Sequence, residues 1–341
     1  MSDPSPHGAQ IKLETRLSPQ EILAGVNQLA RPADEALEEL LQTRVPFIDQ
    51  VSRYIIFSGG KRLRPVLFLL AARAAGRQAP PRQAAIFEYL HAATLLHDDV
   101  VDEAGLRRGR PAARVEYGND AVILVGDFLF SLSYSLAAEV DDLRFVRALT
   151  DCTTYMAEGQ VLELIHTGEL ELAEADYLEV IRAKTAVLLA AACQMGAIWA
   201  QVAPEVVDAF YGYGMELGLA FQMVDDALDY VGTQHEFGKP VGHDLAEGKI
   251  TLPFIHAREH LAPEDRRRLL DLAGRAGRDP QAVEAAKELV RSAGGVEATY
   301  RRAEAHALAA QRALEGAGPT ADRGAWELMW SLPWYVLNRR H

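Results

Sequence analysis

Asp98-Asp99-Val-Val-Asp102 and Asp225-Asp226-Ala-Leu-Asp229 repeat one design in two distant parts of the chain, with carboxylates at i, i+1 and i+4. On a helix the first and last of each set share a face and the middle one flanks it. Each cluster follows an apolar run, Ala93 to Leu96 in one case and Leu219 to Val224 in the other. Three like charges on one helical turn repel, so an apolar helix rarely carries them without a compensating cation. Hard oxygen ligands of this kind suit Mg²⁺, which binds through a few carboxylates and completes its shell with water and substrate phosphate. A single cluster is more often a solvated helix turn or an N-terminal charge cluster. Two clusters that face each other would hold a diphosphate through bridging metal ions, so the two helices must converge on one cavity.

Helical periodicity runs through nearly the whole chain, and no convincing period-two alternation interrupts it. After a flexible tail over residues 1–17, a helix is expected from Pro32 to about Phe57, ended by Gly59-Gly60. Another follows Pro65, and Gly76 to Pro81 form a break. Arg82 to Glu103 carries the first acidic cluster near its C-terminal end, and a basic loop follows from Gly105 to Pro111. Helices are expected over 114–138, 142–168, 174–200 and 205–231, the last ending in the second cluster. Gly232 to Gly248 reads as a loop, and 250–338 is helical with breaks at Pro263, Gly274 to Pro280, Gly294-Gly295 and Gly316 to Pro319. The fold class is all-α: residues 18–341 form one large helical bundle around a central cavity.

A hydrophobic content of 49% and a mean hydropathy near zero describe a globular protein with ample core for its 341 residues. The net charge of −13 argues against nucleic-acid binding. Cys152 and Cys193 are the two cysteines, too few for a disulfide framework or a zinc site and consistent with a reducing cytoplasm. The first residues are polar, so no secretory signal is expected, and the apolar stretch Ala186 to Ala200 is short for a membrane span.

Cations gather beside the acidic clusters. Gly59-Gly60-Lys61-Arg62-Leu63-Arg64-Pro65 puts three cations where a glycine pair can also offer backbone N–H groups to phosphate, although an isolated string of this kind is commonly a solvated turn. Arg107-Arg108 follows the first cluster closely, placed either to take a diphosphate or to neutralise the aspartates directly. His91 lies two turns before Asp98 on roughly the same face, as a ligand or as a core histidine. Lys184-Thr185 interrupts an apolar helix, so the lysine either snorkels outward or enters a polar cavity. Lys239 and Lys249 follow the second cluster.

In these stretches the chain resembles the trans-type polyprenyl diphosphate synthases, the head-to-tail prenyltransferases. GGKRLRP, EYLHAATLLHDDVVDEAGLRRGRP, the Lys184-Thr185 pair, FQMVDDALDYVG and GKPVGHDLAEGKITLP carry the resemblance, in the family's order. It implies a Mg²⁺-dependent prenyltransferase with three metal ions, held by Asp98, Asp99 and Asp102 on one side and Asp225, Asp226 and Asp229 on the other. It places Arg107, Lys184, Lys239 and Lys249 on the allylic diphosphate, and Lys61, Arg64, His91 and Arg108 on the diphosphate of isopentenyl diphosphate. Thr185 and Gln222 would turn oxygen dipoles to the cationic chain, and Phe221 would pack against the homoallylic substrate. The resemblance further implies a homodimer without a membrane anchor, and it allows transient membrane contact during product release.

Family members set product length on the turn before the first cluster. Ala93 and Thr94 lie about 6–7 Å down the helix from Asp98. Both are small, and together with LLHDDVVDE they point to a product of seven to ten prenyl units. Phe87 and Phe130 are the alternative floor. A short-chain synthase, a non-catalytic subunit of a heteromeric synthase and a class I terpene cyclase are the competing readings. The second of these lacks a reason for two complete acidic clusters, and the third lacks a reason for a second basic set.

Overall fold

The computed structural model describes residues 13–231, 242–318 and 321–338. Sixteen α-helices and one two-residue hairpin are present among them. The helix expected from Pro32 begins earlier, at Pro19. Ser18 and Glu21 form a reciprocal capping box there, and Pro32 is accommodated inside α1 (Pro19–Leu40). The break falls instead before Pro46, where Val45 is extended, as a residue preceding proline prefers. Then come α2 (Pro46–Ile56), α3 (Leu63–Ala74) and α4 (Pro81–Val101). Residues 14–17, assigned by sequence to the tail, are tied to the C-terminal helix. Arg16 N–H donates to Ser331 Oγ at 3.1 Å, and its guanidinium lies 4.7 Å from the Trp326 ring centre.

β1 (Leu106–Arg107) and β2 (Arg110–Pro111) pair within the expected basic loop. Strands this short leave no alternation to read. Arg108 and Gly109, both at positive φ, turn the hairpin. The expected helix over 114–138 is split at Gly118 into α5 (Ala113–Tyr117) and α6 (Asn119–Ala138). α7 (Leu143–His166) and α8 (Glu174–Ile181) follow. A π-helical turn over Arg182–Ala186 leads into α9 (Val187–Trp199), and α10 spans Pro204–Val231. The remainder is α11 (His243–Ala246), α12 (Leu252–His260), α13 (Pro263–Arg275), α14 (Pro280–Ser292), α15 (Gly295–Gly316) and α16 (Arg323–Asn338).

α3 and α9 are buried on nearly every face, which identifies them as central helices. α9 packs between α3 and α10, α4 packs on α3 and α6, and α15 and α16 close the far side of α10 and α3. This arrangement brings the C-terminal end of α4 and that of α10 to one mouth of the bundle. Among the described residues two helical stretches are long and apolar enough to cross a membrane, Asn119–Ala138 and Glu174–Trp199. The second has 78% of its apolar window buried, which identifies it as a core helix, whereas the first has 39% buried and leaves much of its apolar side uncovered.

The π turn is gripped by two glycines. A Cβ on Gly159 would lie 2.8 Å from Lys184 N, and one on Gly218 would lie 2.6 Å from Ala186 Cα. Gly218→Ala is therefore expected to destabilise the protein by about 1–3 kcal/mol, because backbone rather than a movable side chain must give way. Gly212→Ala, on the same helix, meets only Ala313 Cβ at 3.6 Å. It is expected to be neutral or stabilising, by about 0.4–1 kcal/mol. Thermal melts of the two variants should move in opposite directions, or the second should not move.

Candidate active site

A cavity of about 800 Å³ lies between α4, α7, α10 and the mouth of the bundle, joined by a smaller polar one of about 250 Å³. Asp98, Arg107, Lys184, Thr185 and Gln222 line both. The larger cavity has a basic end and an apolar arm. Lys61, Arg64, His91 and Arg108 border the basic end, and Thr94, Leu95, Phe130, Met156 and Val161 line the arm.

The acidic clusters do converge, but their members do different things. Asp98 borders both cavities and Asp102 the smaller one; Asp225 borders the larger and Asp226 the smaller. Lysines thread between them. Lys184 Nζ contacts Glu163 and lies 3.6 Å from Asp98, while Lys249 Nζ lies 3.0 Å from Asp102 and 2.9 Å from Glu247. Burial raises the Asp98 pKa; Lys184 opposes that rise, and the charges of Asp102 and Glu163 add to it. Burial also pushes the Glu247 carboxyl up, but the bonds from His243 and Lys249 override it and hold Glu247 at about 2.

Two of the six aspartates expected on metal are turned away. Asp99 is fully buried, with Oδ1 accepting from Arg107 Nε at 2.7 Å, because the i+1 position faces the hairpin rather than the cavity. Asp229 accepts from the backbone N–H groups of Gly242, His243 and Asp244 at 3.1, 3.2 and 3.1 Å, so its carboxylate anchors α11. Asp226 is intermediate, since Tyr177 Oη donates to one oxygen at 2.6 Å and Gln222 Nε2 to the other at 2.8 Å. Thr185 Oγ1 in turn donates to Gln222 Oε1 at 3.0 Å. That bond occupies the hydroxyl proton, so the Thr185 oxygen keeps its lone pairs free.

At the basic end, the hairpin carries Arg108 onto the 59–60 loop, where Nη1 bonds Gly59 O and Ser58 Oγ. Arg64 Nε is buried with no hydrogen-bond partner, an orphan donor that suits an anion. Burial and the charges of Arg64, Arg108, Arg107 and Arg62 hold the His91 pKa well below its ordinary value, so the imidazole is neutral. Phe221 lines the larger cavity as expected. Lys249 lies at the smaller one, and Lys239 lies outside the described residues. Thr94 lines the apolar arm, but Ala93 does not. It is fully buried on the core side of α4, one residue round the helix from the cavity face. Of the alternative floor residues, Phe130 lines the cavity and Phe87 lies in the core.

The sequence reading did not single out Glu88, Gln160, Glu163 or Tyr177. Gln160 and Glu163 form an i, i+3 polar pair beside Gly159, a detectable signal. Tyr177 and Glu88 are distant in sequence from what they hold and leave no such trace.

Residues 45–290 match the pattern of the polyprenyl synthetase family, and the chain belongs to that family. It is a polyprenyl diphosphate synthase. The octaprenyl diphosphate synthase of Escherichia coli (strain K12) is 40% identical over 295 residues, covering 86% of this chain and 89% of that one. The all-trans-nonaprenyl-diphosphate synthase (geranyl-diphosphate specific) of Rhodobacter capsulatus is 37% identical over 302 residues, covering 87% and 91%. The polyprenyl synthase of Caulobacter crescentus CB15, solved with calcium and isoprenyl diphosphate, superposes with a TM-score of 0.89 at 36% identity over 96% of this chain and 100% of that one.

Asp98→Asn is expected to lower kcat about 10²–10³-fold with no fall in melting temperature, because it removes one charge from a cluster of like charges at the cavity. Asp99→Asn is expected to lower stability by about 3 kcal/mol, because it leaves the largely buried Arg107 guanidinium without its charge partner. Paired kinetics and melts of both variants separate the roles; equal behaviour would contradict the assignment.

Proposed function

We propose that this polyprenyl diphosphate synthase is Mg²⁺-dependent and makes a long all-trans product, and that Asp98, Asp102 and Asp225 are the carboxylates that meet the metal ions. The observation that carries this reading is the convergence of two acidic helix ends on one cavity whose other end is basic and whose arm is apolar. Mg²⁺ binds through one or two carboxylates and completes its shell with diphosphate and water, so Asp98, Asp102 and Asp225 need supply only part of that shell. The calcium and isoprenyl diphosphate in the Caulobacter relative support the same chemistry.

When bound, the ions neutralise charge growing on the departing diphosphate. Lys184, Lys249 and Arg107 add fixed positive charge at the same end, so the allylic C–O bond breaks in a preorganised field. The Thr185 hydroxyl and Gln222 carbonyl oxygens face the allyl cation left behind. Lys61, Arg64, His91 and Arg108 hold isopentenyl diphosphate with its double bond in register. After that double bond attacks, the released diphosphate takes the proton from the new chain. The apolar arm keeps water from the cation and receives the growing chain past Thr94.

Length is supported by the octaprenyl and nonaprenyl relatives and by the absence of an aromatic side chain at Thr94. The uncovered apolar side chains Ile123 and Leu124 on α6, with Val161, Leu164 and Ile165 on α7, support a homodimer. Sedimentation should give twice 37.4 kDa, and a monomer at micromolar concentration would exclude it. A cytoplasmic location rests on two free, buried thiols.

Purified protein should be given Mg²⁺, labelled isopentenyl diphosphate and each allylic primer in turn. Products of seven to ten units are expected, and Thr94→Phe should shorten them. A farnesyl or geranylgeranyl limit in the parent would favour the short-chain reading. A cyclic hydrocarbon would favour a cyclase, and no product would favour an inert subunit.

A further inference from the structure

We propose that Arg62 is a positioning residue of the isopentenyl diphosphate site: it fixes the turn that carries Lys61 and opens into the first turn of α3, which carries Arg64, and it keeps the buried Glu88 carboxylate away from the cations that take phosphate. The inference rests on the assignment of that diphosphate to Lys61, Arg64, His91 and Arg108.

The loop backbone needs such a tie. Gly59 and Gly60 have φ of +114° and +124°, which suit glycine, but Arg62 has φ +52° with a long side chain. A non-glycine residue there persists only when its surroundings over-determine it. The surroundings are three acceptors from three helices. Arg62 Nε donates to Asp34 Oδ1 of α1 at 2.6 Å, Nη1 to Glu88 Oε1 of α4 at 2.6 Å, and Nη2 to Ile56 O at the end of α2 at 2.8 Å. The guanidinium is 6% exposed and its planar fork matches that spread, which a lysine could not do. Lys61, Arg62 and Arg64 all border the cavity, as does Glu88, but Arg64 keeps an unpartnered Nε. Arg62 is committed to protein acceptors, and Arg64 is left for a ligand.

Glu88 gives Arg62 its second task. Its side chain is 8% exposed and paired to Arg62, and its charge also reaches Arg64 and Arg108. A buried carboxylate that loses its partner must find another or take up a proton. The cations within reach are those of the diphosphate site. Pairing with them would cancel positive charge where the substrate needs it.

The test uses initial rates of the full-length enzyme, with isopentenyl diphosphate and allylic primer varied separately, and a thermal melt of each variant. Arg62→Gln is expected to raise KM for isopentenyl diphosphate about tenfold or more, leaving KM for the primer within about twofold. Glu88→Gln placed on that background is expected to recover part of the loss, the part due to the unpaired carboxylate, which a merely structural defect would not do. Should Arg62→Gln fail to fold, Arg62→Lys keeps the charge without the fork and is expected to raise the same KM by a smaller factor. Equal rises in both KM values, no recovery in the double variant, or an unchanged KM in Arg62→Lys would overturn the proposal. Arg64→Gln serves as the control. If it leaves KM for isopentenyl diphosphate unchanged, the assignment of the site fails and the proposal with it. If it raises KM while Arg62→Gln does not, only the role of Arg62 fails.

Discussion

Repulsion among carboxylates at the mouth of the bundle is the constraint on which the rest of the structure depends. Asp98, Asp102, Glu163, Asp226, Asp244 and Glu247 all border one small cavity. Bringing them together is unfavourable in a medium less polar than water. Lys184 and Lys249 reduce that cost, and each touches a carboxylate of the first cluster or one beside it. Like-charged groups held this way are poised to accept cations and a polyanion. The metal–diphosphate reading follows from that imbalance rather than from any single ligand set.

The rigid parts of the bundle and its irregular parts divide the work. α3, α9 and α10 are buried and close-packed, so they fix where the helix ends lie. The side chains proposed to meet substrate lie on or beside local departures: the π turn that carries Lys184 and Thr185, the left-handed Arg62 between Lys61 and the start of α3, and the hairpin turn at Arg108. Such departures are costly in isolation and cluster at functional sites. Here each is secured by a specific contact. Gly159 and Gly218 admit the π turn, Asp34 and Glu88 hold Arg62, and the Gly59 carbonyl holds Arg108.

Most of the helical order and the membership of the cavity were legible in the sequence, because apolar periodicity and motif spacing are local signals. Helix breaks at Pro263, at Gly274 to Pro280 and at Gly294-Gly295 fall where glycine and proline place them. What was not legible is which way each side chain turns. The i, i+1, i+4 pattern makes the three aspartates of a cluster look equivalent, yet Asp99 is consumed by Arg107 and Asp229 by three backbone N–H groups. Ala93 and Thr94 are adjacent and both small, but only Thr94 reaches the cavity. Pro32 suggests a helix start because proline favours the first helical turn, but the Ser18–Glu21 capping box starts the helix earlier and Pro32 is accommodated inside it. These outcomes depend on tertiary partners that no local window contains.

The division of labour among the six aspartates is the central claim, and metal positions test it most directly. Crystals grown with Mn²⁺ and inorganic diphosphate would show anomalous scattering from each bound ion. The claim requires peaks about 2.1 Å from carboxylate oxygens of Asp98, Asp102 and Asp225, and none at that distance from Asp99 or Asp229. Peaks coordinated by Asp99 or Asp229, or an acidic mouth that stays free of metal with diphosphate bound, would contradict it.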